Sequence, residues 1–280
     1  MVLTNKVVLI TGASSGIGAA AALAFDRAGV KVAIAARRKD KLEEISKKLH
    51  GALVLQVDLS DEMQVKQMID TTVERLGRID ILVNNAASII VASSDSVMST
   101  DLVNAFRTNL IAPVVAAQHA LGYMKKSGGQ IINVGSPGFM MGIPYYSPYV
   151  CSKAALSAWT RTIQAEWAEY GVIVSEYFPG YIKTDSRPES RIGDVEQDFL
   201  MAPRQNFITR HFAKPKTVEV VAGHLVELAR NQKLLMHSGF GVRIGSFISN
   251  FPSFRLSIAT QMAKTARQKL TQQFNNSIIH

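Results

Sequence analysis

Six short apolar, β-branched runs are spaced along the chain: Val7–Ile10, Val32–Ala35, Leu53–Val57, Ile79–Val83, Ile131–Val134 and Val172–Glu176. Between them lie stretches with helical periodicity, among them Ile17–Ala28, Asp40–Leu49 and Asp61–Leu76. Strands that read as continuous apolar runs are buried on both faces, which happens where helices cross over a parallel sheet. The alternation predicts an α/β fold, a doubly wound parallel sheet with helices on both faces. The third helical stretch is expected to take Ser60 as its N-cap and to open with Asp61 and Glu62, where the helix dipole favours anions. With 280 residues and 47% hydrophobic content, one large domain is well within reach. No repeat, low-complexity tract or linker divides the chain.

Composition excludes several classes. No apolar run approaches the ~18 residues of a membrane-spanning helix. The sequence enters its first strand within seven residues, which leaves no room for a leader peptide ahead of it. A single cysteine, Cys151, rules out an internal disulfide and fits a reducing compartment, so a cytoplasmic protein is expected. Cys151 itself reads as a small packing residue rather than a redox switch. The net charge of +9 is scattered except in residues 251–280, which hold Arg255, Lys264, Arg267 and Lys269 and no acid. No basic stripe is interleaved with aromatic residues, so nucleic-acid binding is not expected.

The first strand runs into "TGASSGIGAAAALAF", a glycine-rich turn followed by an alanine-rich helix. Gly12 suits a tight turn, Gly16 a close approach of phosphate to backbone, and Gly18 close packing of the helix. The free N–H groups of the helix start, with Ser14, Ser15 and Ile17 around them, form a ready site for a dinucleotide pyrophosphate. A purely structural strand–helix turn is the alternative. NAD-binding domains place an acidic residue near the end of the second strand to take the ribose hydroxyls. Here that region reads Ala36-Arg37-Arg38. An arginine fork binds a 2′-phosphate that a carboxylate would repel, so NADP(H) is expected in preference to NAD(H); the alternative is a solvated basic turn.

A tyrosine–lysine pair, Tyr149 and Lys153, stands four residues apart at the head of a helical run, hence on one helix face. An ammonium close to a phenol favours the phenolate and lowers its pKa. Alone, such a pair also fits an ordinary surface.

Together these pieces resemble the short-chain dehydrogenase/reductase family across roughly residues 5–184. The motifs fall in family order: "TGASSGIG", Asp58-Leu59, "NNAA" at 84–87, Asn109, Ser136, Tyr149-xxx-Lys153 and "PGYIKT" at 179–184. The resemblance implies a Rossmann-type sheet of about seven strands and hydride transfer between nicotinamide and an alcohol or carbonyl. It also implies roles. Tyr149 would be the general acid or base, Lys153 would lower its pKa and hold the nicotinamide ribose, and Ser136 would bind the substrate oxygen. Asn109 would support a water linking Lys153 to solvent. Asp58 would meet the adenine amino group beside Leu59, and Asn85 and Ala86 would flank the adenosine ribose. Pro179, Ile182 and Thr184 would border the nicotinamide. Two departures stand out: Ala87 replaces the usual glycine of NNAG, and "GFGVRIGSFISNF" replaces the usual "DGG" ending. The second weakens a 3-oxoacyl-thioester reductase assignment, which stays as an alternative. A non-catalytic NADP(H)-sensing regulator is the other; such proteins commonly lose the tyrosine or lysine.

Phe139, Met140, Met141, Tyr145 and Tyr146, with Phe199, Met201, Phe207 and Phe212 in a substrate loop at 185–215, predict an apolar substrate: a steroid-, lipid- or other bulky ketone, aldehyde or secondary alcohol. A homodimer or homotetramer through the helices bearing Asn109 and Tyr149 is expected, with the stripe Ala155, Trp159, Ile163 and Trp167 serving either an interface or the sheet. The catalytic domain is expected over residues 1–250. Residues 251–280 form a basic amphipathic extension that docks on the protein or touches an anionic membrane surface.

Overall fold

The structure, a computed structural model, describes residues 1–180, 182, 189–190 and 216–238, with 260 and 268. Thr184, the substrate loop with Phe199, Met201, Phe207 and Phe212, the "GFGVRIGSFISNF" segment and the pattern of the C-terminal extension lie outside the described residues.

In chain order the elements are β1 (Val7–Thr11), α1 (Gly16–Arg27), β2 (Lys31–Ala36), α2 (Lys39–Ser46), β3 (Leu53–Gln56), α3 (Glu62–Leu76), β4 (Ile81–Asn84) and β5 (Ile90–Val91). There follow α4 (Ser99–Phe106), a π-turn (Arg107–Ile111), α5 (Ala112–Met124), β6 (Gly129–Val134), α6 (Gly138–Met141), α7 (Ser147–Ala168) and β7 (Val172–Phe178). The last are β8 (Glu189–Ser190), α8 (Val218–Asn231) and β9 (Leu235–His237). Seven strands form one parallel sheet in the order β3-β2-β1-β4-β6-β7-β9. The doubly wound fold is as the alternation predicted. β1 and β4 are apolar and buried at every position, apart from the polar Thr11 and Asn84 at their carboxyl ends.

Two cores flank the sheet. On one face α1 and α8 pack over Val8, Ile10, Ile34 and Tyr177; on the other α3, α5 and α7 pack over Leu9, Leu82, Ile131 and Val174. Strand alternation sends successive side chains to opposite faces, which is why Leu9 and Ile10 enter different cores. The order reverses at β1, whose neighbours are β2 and β4. A crevice must open there, at the carboxyl ends of the strands.

Two expectations change, and one left open is decided. Asp61, not Ser60, caps α3: its carboxylate accepts from the N–H groups of Met63 (2.9 Å) and Gln64 (3.3 Å), because the Ser60 hydroxyl is donated to Asp58 (2.8 Å). Cys151 is exposed rather than packed. In the Trp stripe, Ile163 and Trp167 are buried against the sheet, with Trp159 half-buried and edge-on to Trp167 at 5.9 Å. That stripe serves the core. Among the described residues no helix is long and apolar enough to cross a membrane.

Candidate active site

A cleft of about 1280 Å³ runs along the carboxyl ends of the strands, from the β1–α1 loop to the head of α7. At one end the glycines form a cradle. Gly12 has φ +68°, and a side chain there would meet Ala86 Cα at 2.7 Å. Gly16 opens α1 at φ +57°, also a conformation that favours glycine. A Cβ on Gly18 would strike the Gly12 carbonyl oxygen at 2.4 Å. Helix, loop and β4 segment therefore touch backbone to backbone. The Ser15 side chain makes no capping bond, so the N–H groups of the helix start are left for an anion.

Thr11 and Asn85 hold this cradle from behind. The Thr11 hydroxyl accepts from the N–H groups of Asn85 (3.1 Å) and Ala86 (3.2 Å), and the Asn85 side-chain amide donates to Thr11 O at 2.9 Å. Asn85 lines the cleft, yet its amide is already committed to the loop.

The basic residues converge on the same end. Arg38 donates to the hydroxyls of Ser14 (3.0 Å) and Ser15 (2.9 Å), and Arg37 lies alongside on the cleft rim. Lys41, which the sequence reading did not single out, lines it too, one helical turn after Arg38. Asp58 is held below the usual carboxylate range chiefly by the Ser60 N–H and hydroxyl, with Arg37 assisting. Its Oδ1 is thus turned to its own loop. Ile17, Leu59, Ala86, Ala87, Pro179 and Ile182 also line the cleft; Gly16 and Gly18 shape the backbone behind it.

Ser136, Tyr149 and Lys153 meet at the other end. The Ser136 hydroxyl, just past β6, accepts from the Gly138 N–H at 3.2 Å and stands near enough to the Tyr149 phenol to pull its pKa down, but burial outweighs this and holds the phenol above the ordinary tyrosine value. The expected depression by Lys153 is not present. The reason is geometric: the buried Lys153 ammonium is turned to the Val134 carbonyl at 2.7 Å. Desolvation pushes Lys153 down to about 8, with Glu176 opposing that fall.

Asn109 sits fully buried in the π-turn. Its side chain accepts from Ser88 N–H (2.7 Å) and donates to Ser88 O (2.8 Å) and to the Ser152 hydroxyl (2.9 Å). Ser152 in turn donates to Tyr149 O at 2.8 Å. The amide thus ties the cleft wall to the helix that carries Tyr149 and Lys153. Pro113 has no N–H to return to the carbonyl four residues earlier, which is that of Asn109. π-turns of this kind recur at functional sites.

At the substrate end, Tyr146 is buried and its phenol is pushed up to about 12 by desolvation, with Tyr149 adding to it. Ile143 and Tyr146 line the cleft, and Phe139 packs on Phe178 at 5.9 Å. Tyr145 takes φ +69°, the strained turn that delivers Tyr146 inward. Among the described residues no cluster could hold a metal ion.

The short chain dehydrogenase family model matches residues 6–194, about two thirds of the chain. The chain belongs to the short-chain dehydrogenase family. Its curated relatives include an 11-beta-hydroxysteroid dehydrogenase-like protein of Arabidopsis thaliana, 36% identical over 215 residues covering 73% of this chain and 67% of that one. A fatty acyl-CoA reductase of Mycobacterium tuberculosis is 39% identical over 186 residues, 63% of each chain. A solved short chain dehydrogenase from Bacillus anthracis superposes with a TM-score of 0.74 at 27% identity, over 85% of this chain and 96% of its own. As a short-chain dehydrogenase the protein is an oxidoreductase of small-molecule alcohols or carbonyls that uses a nicotinamide cofactor. The cleft suits that cofactor. It joins a glycine-built phosphate cradle to a tyrosine, serine and lysine within one continuous space.

Proposed function

We propose that the protein is an NADP(H)-dependent carbonyl reductase or alcohol dehydrogenase acting on a bulky apolar substrate. The observation that carries this reading is the pair of ends of one cleft: Arg37, Arg38 and Lys41 around the glycine cradle, and Ser136, Tyr149 and Lys153 beside an apolar wall.

At the basic end, β2 ends at Ala36 and is followed by Arg37, Arg38 and Lys39, the first carboxylate after it being Asp40 within α2. Asp58, which lines the same end of the cleft, is occupied by Ser60. Arg38, resting on two serine hydroxyls beside the helix start, offers a planar guanidinium suited to a phosphate monoester. Such an arrangement favours the 2′-phosphate of NADP(H).

When bound, the nicotinamide supplies the hydride for carbonyl reduction and receives it in alcohol oxidation. Hydride arrival builds negative charge on the carbonyl oxygen. The Ser136 hydroxyl donates a hydrogen bond to it, and the Tyr149 phenol delivers the proton. Because burial keeps Tyr149 protonated at neutral pH, the phenol starts in the form needed for reduction. Lys153, a cation below about pH 8 one helical turn from Tyr149, is the proton source that restores the phenol after turnover. Asn109 keeps α7 in register with the wall through Ser88 and Ser152; its carbonyl is suited to hold the water that the family resemblance implies. Ile143, Tyr146 and half-buried Ile89 offer apolar surface to the substrate, in line with the steroid- and fatty acyl-related names among the relatives. Exposed Leu102, Val103 and Ile111, on α4 and the π-turn, favour a homo-oligomer through this face.

The test is Tyr149→Phe, assayed by NADPH oxidation against steroids, acyl ketones, quinones and aldehydes. Wild type should turn over at least one of them; the variant should lose turnover at least a hundredfold and keep NADPH binding. Near-normal turnover by the variant would remove Tyr149 from the chemistry.

A further inference from the structure

Behind the cleft wall lies a carboxylate that the proposed reaction does not use. Glu176 sits in β7, opposite Asn133 of β6 and Leu235 of β9, and is only 2% exposed. It shares a strand face with Val172 and Val174, the face covered by α7. Toward that face α7 presents one polar row, since Tyr149, Lys153, Ser157 and Arg161 follow at every fourth position.

Arg161 Nε stands 3.7 Å from Glu176 Oε2. The Ser157 hydroxyl is near enough to draw the carboxyl down, yet outside hydrogen-bonding geometry. Oε1 has no hydrogen-bond partner, and lies 3.3 Å from the point where a side chain on Gly135 would begin. Gly135 directly follows Val134, whose carbonyl receives the Lys153 ammonium. A single backbone step thus separates the anchor of the lysine from the carboxylate oxygen. A carboxylate this deeply buried is costly unless a cation compensates it. Arg161 is mostly exposed, at 59%, and its contact is long, whereas Lys153 is buried like Glu176 itself.

We propose that Glu176 is the buried counter-charge of Lys153, a positioning residue that keeps the ammonium protonated and held at the cleft wall without touching cofactor or substrate.

The electrostatics run the same way in both directions. Desolvation lowers Lys153 and Glu176 opposes it; burial raises Glu176, while Ser157, Arg161 and Lys153 oppose that. Among the described residues, the other titratable groups on this face beside the pair are Tyr149, one turn before Lys153 on α7, and His237 of β9, which stacks on Phe178 next along the ladder. The pairing stands on the structure; its effect on turnover rests on the reductase reading above.

Lysine-13C NMR on the full chain, without nucleotide, tests the pairing, with Lys153→Met to assign the resonance. Lys153 should titrate at about 8 in wild type, at least about one unit lower in Glu176→Gln, and near wild type in Glu176→Asp. The same titration in wild type and Glu176→Gln overturns the proposal. Should Glu176→Gln not fold, glutamate-13C-labelled wild type decides. The Glu176 carboxyl carbon must show an inflection at the pH where Lys153 titrates, and its absence is equally fatal. Neither measurement needs cofactor or substrate. The pairing can therefore fail while carbonyl turnover persists, or hold while the substrate panel gives nothing.

Discussion

Gly18→Ala is a one-carbon change whose cost follows from the structure. The new Cβ would stand 2.4 Å from the Gly12 oxygen and 2.6 Å from Asn85 Nδ2, where ordinary contacts begin at 3.4 Å. Loop or helix must therefore yield by about 1 Å (3.4 − 2.4), and both partners are stiff: one is backbone, the other an amide bonded to Thr11 O. Overpacking of this kind costs roughly 1–3 kcal/mol. Weakening the Asn85–Thr11 bond adds about 1 kcal/mol, and better helix propensity returns up to about 1 kcal/mol. The net loss is on the order of 1–3 kcal/mol. Gly122→Ala is the matched control: it lies exposed in α5 with no atom within 4 Å of its added carbon, and should gain about 0.5–1 kcal/mol. Urea unfolding followed by tryptophan fluorescence reads both, and nucleotide titration should show weaker binding in Gly18→Ala alone. Equal midpoints for the two variants would refute the cradle geometry.

Arg38→Ala should raise the KM for NADPH tenfold or more while leaving NADH nearly unchanged, since a charge-assisted contact to phosphate is worth about 1.5–3 kcal/mol; equal effects on the two cofactors would end the NADP(H) assignment. Lys153 has a folded pKa depressed from 10.5 to about 8, so the unfolded chain binds the extra proton and the burden on stability is full below pH 8. Wild-type stability relative to Lys153→Met should accordingly rise as pH goes from 8 toward 10.5 in parallel denaturant titrations, on top of a constant offset from leaving Glu176 without its counter-charge; equal pH slopes in the two proteins would refute the depressed lysine. Removing residues 252–280 should abolish any salt-sensitive sedimentation with anionic liposomes; absence of binding by the intact protein would leave the extension a docking role.

Sequence alone determined what depends on local pattern. Strands such as Val7–Thr11 are legible because burial on both faces demands a continuous apolar run. The glycines of the β1–α1 loop are legible because a positive φ or a backbone contact tolerates little else. Tyr149 and Lys153 are legible because helical spacing places them on one face. Tertiary structure decided everything set by residues distant in sequence. The short β9 closes the sheet only because β7 offers it a ladder, and its three residues carry too little pattern to announce themselves. Arg38 turns to Ser14 and Ser15 because adjacent parallel strands bring their following loops together. Asn109 reaches Ser88 and Ser152 through a π-turn that no spacing rule reveals. Lys153 faces the Val134 carbonyl and Glu176 rather than discharging the phenol, because the direction of a buried cation is set by the oxygens the fold places around it. Residue identity carries the chemistry a chain can perform; which proton donor sits where, and at what pKa, is settled by packing.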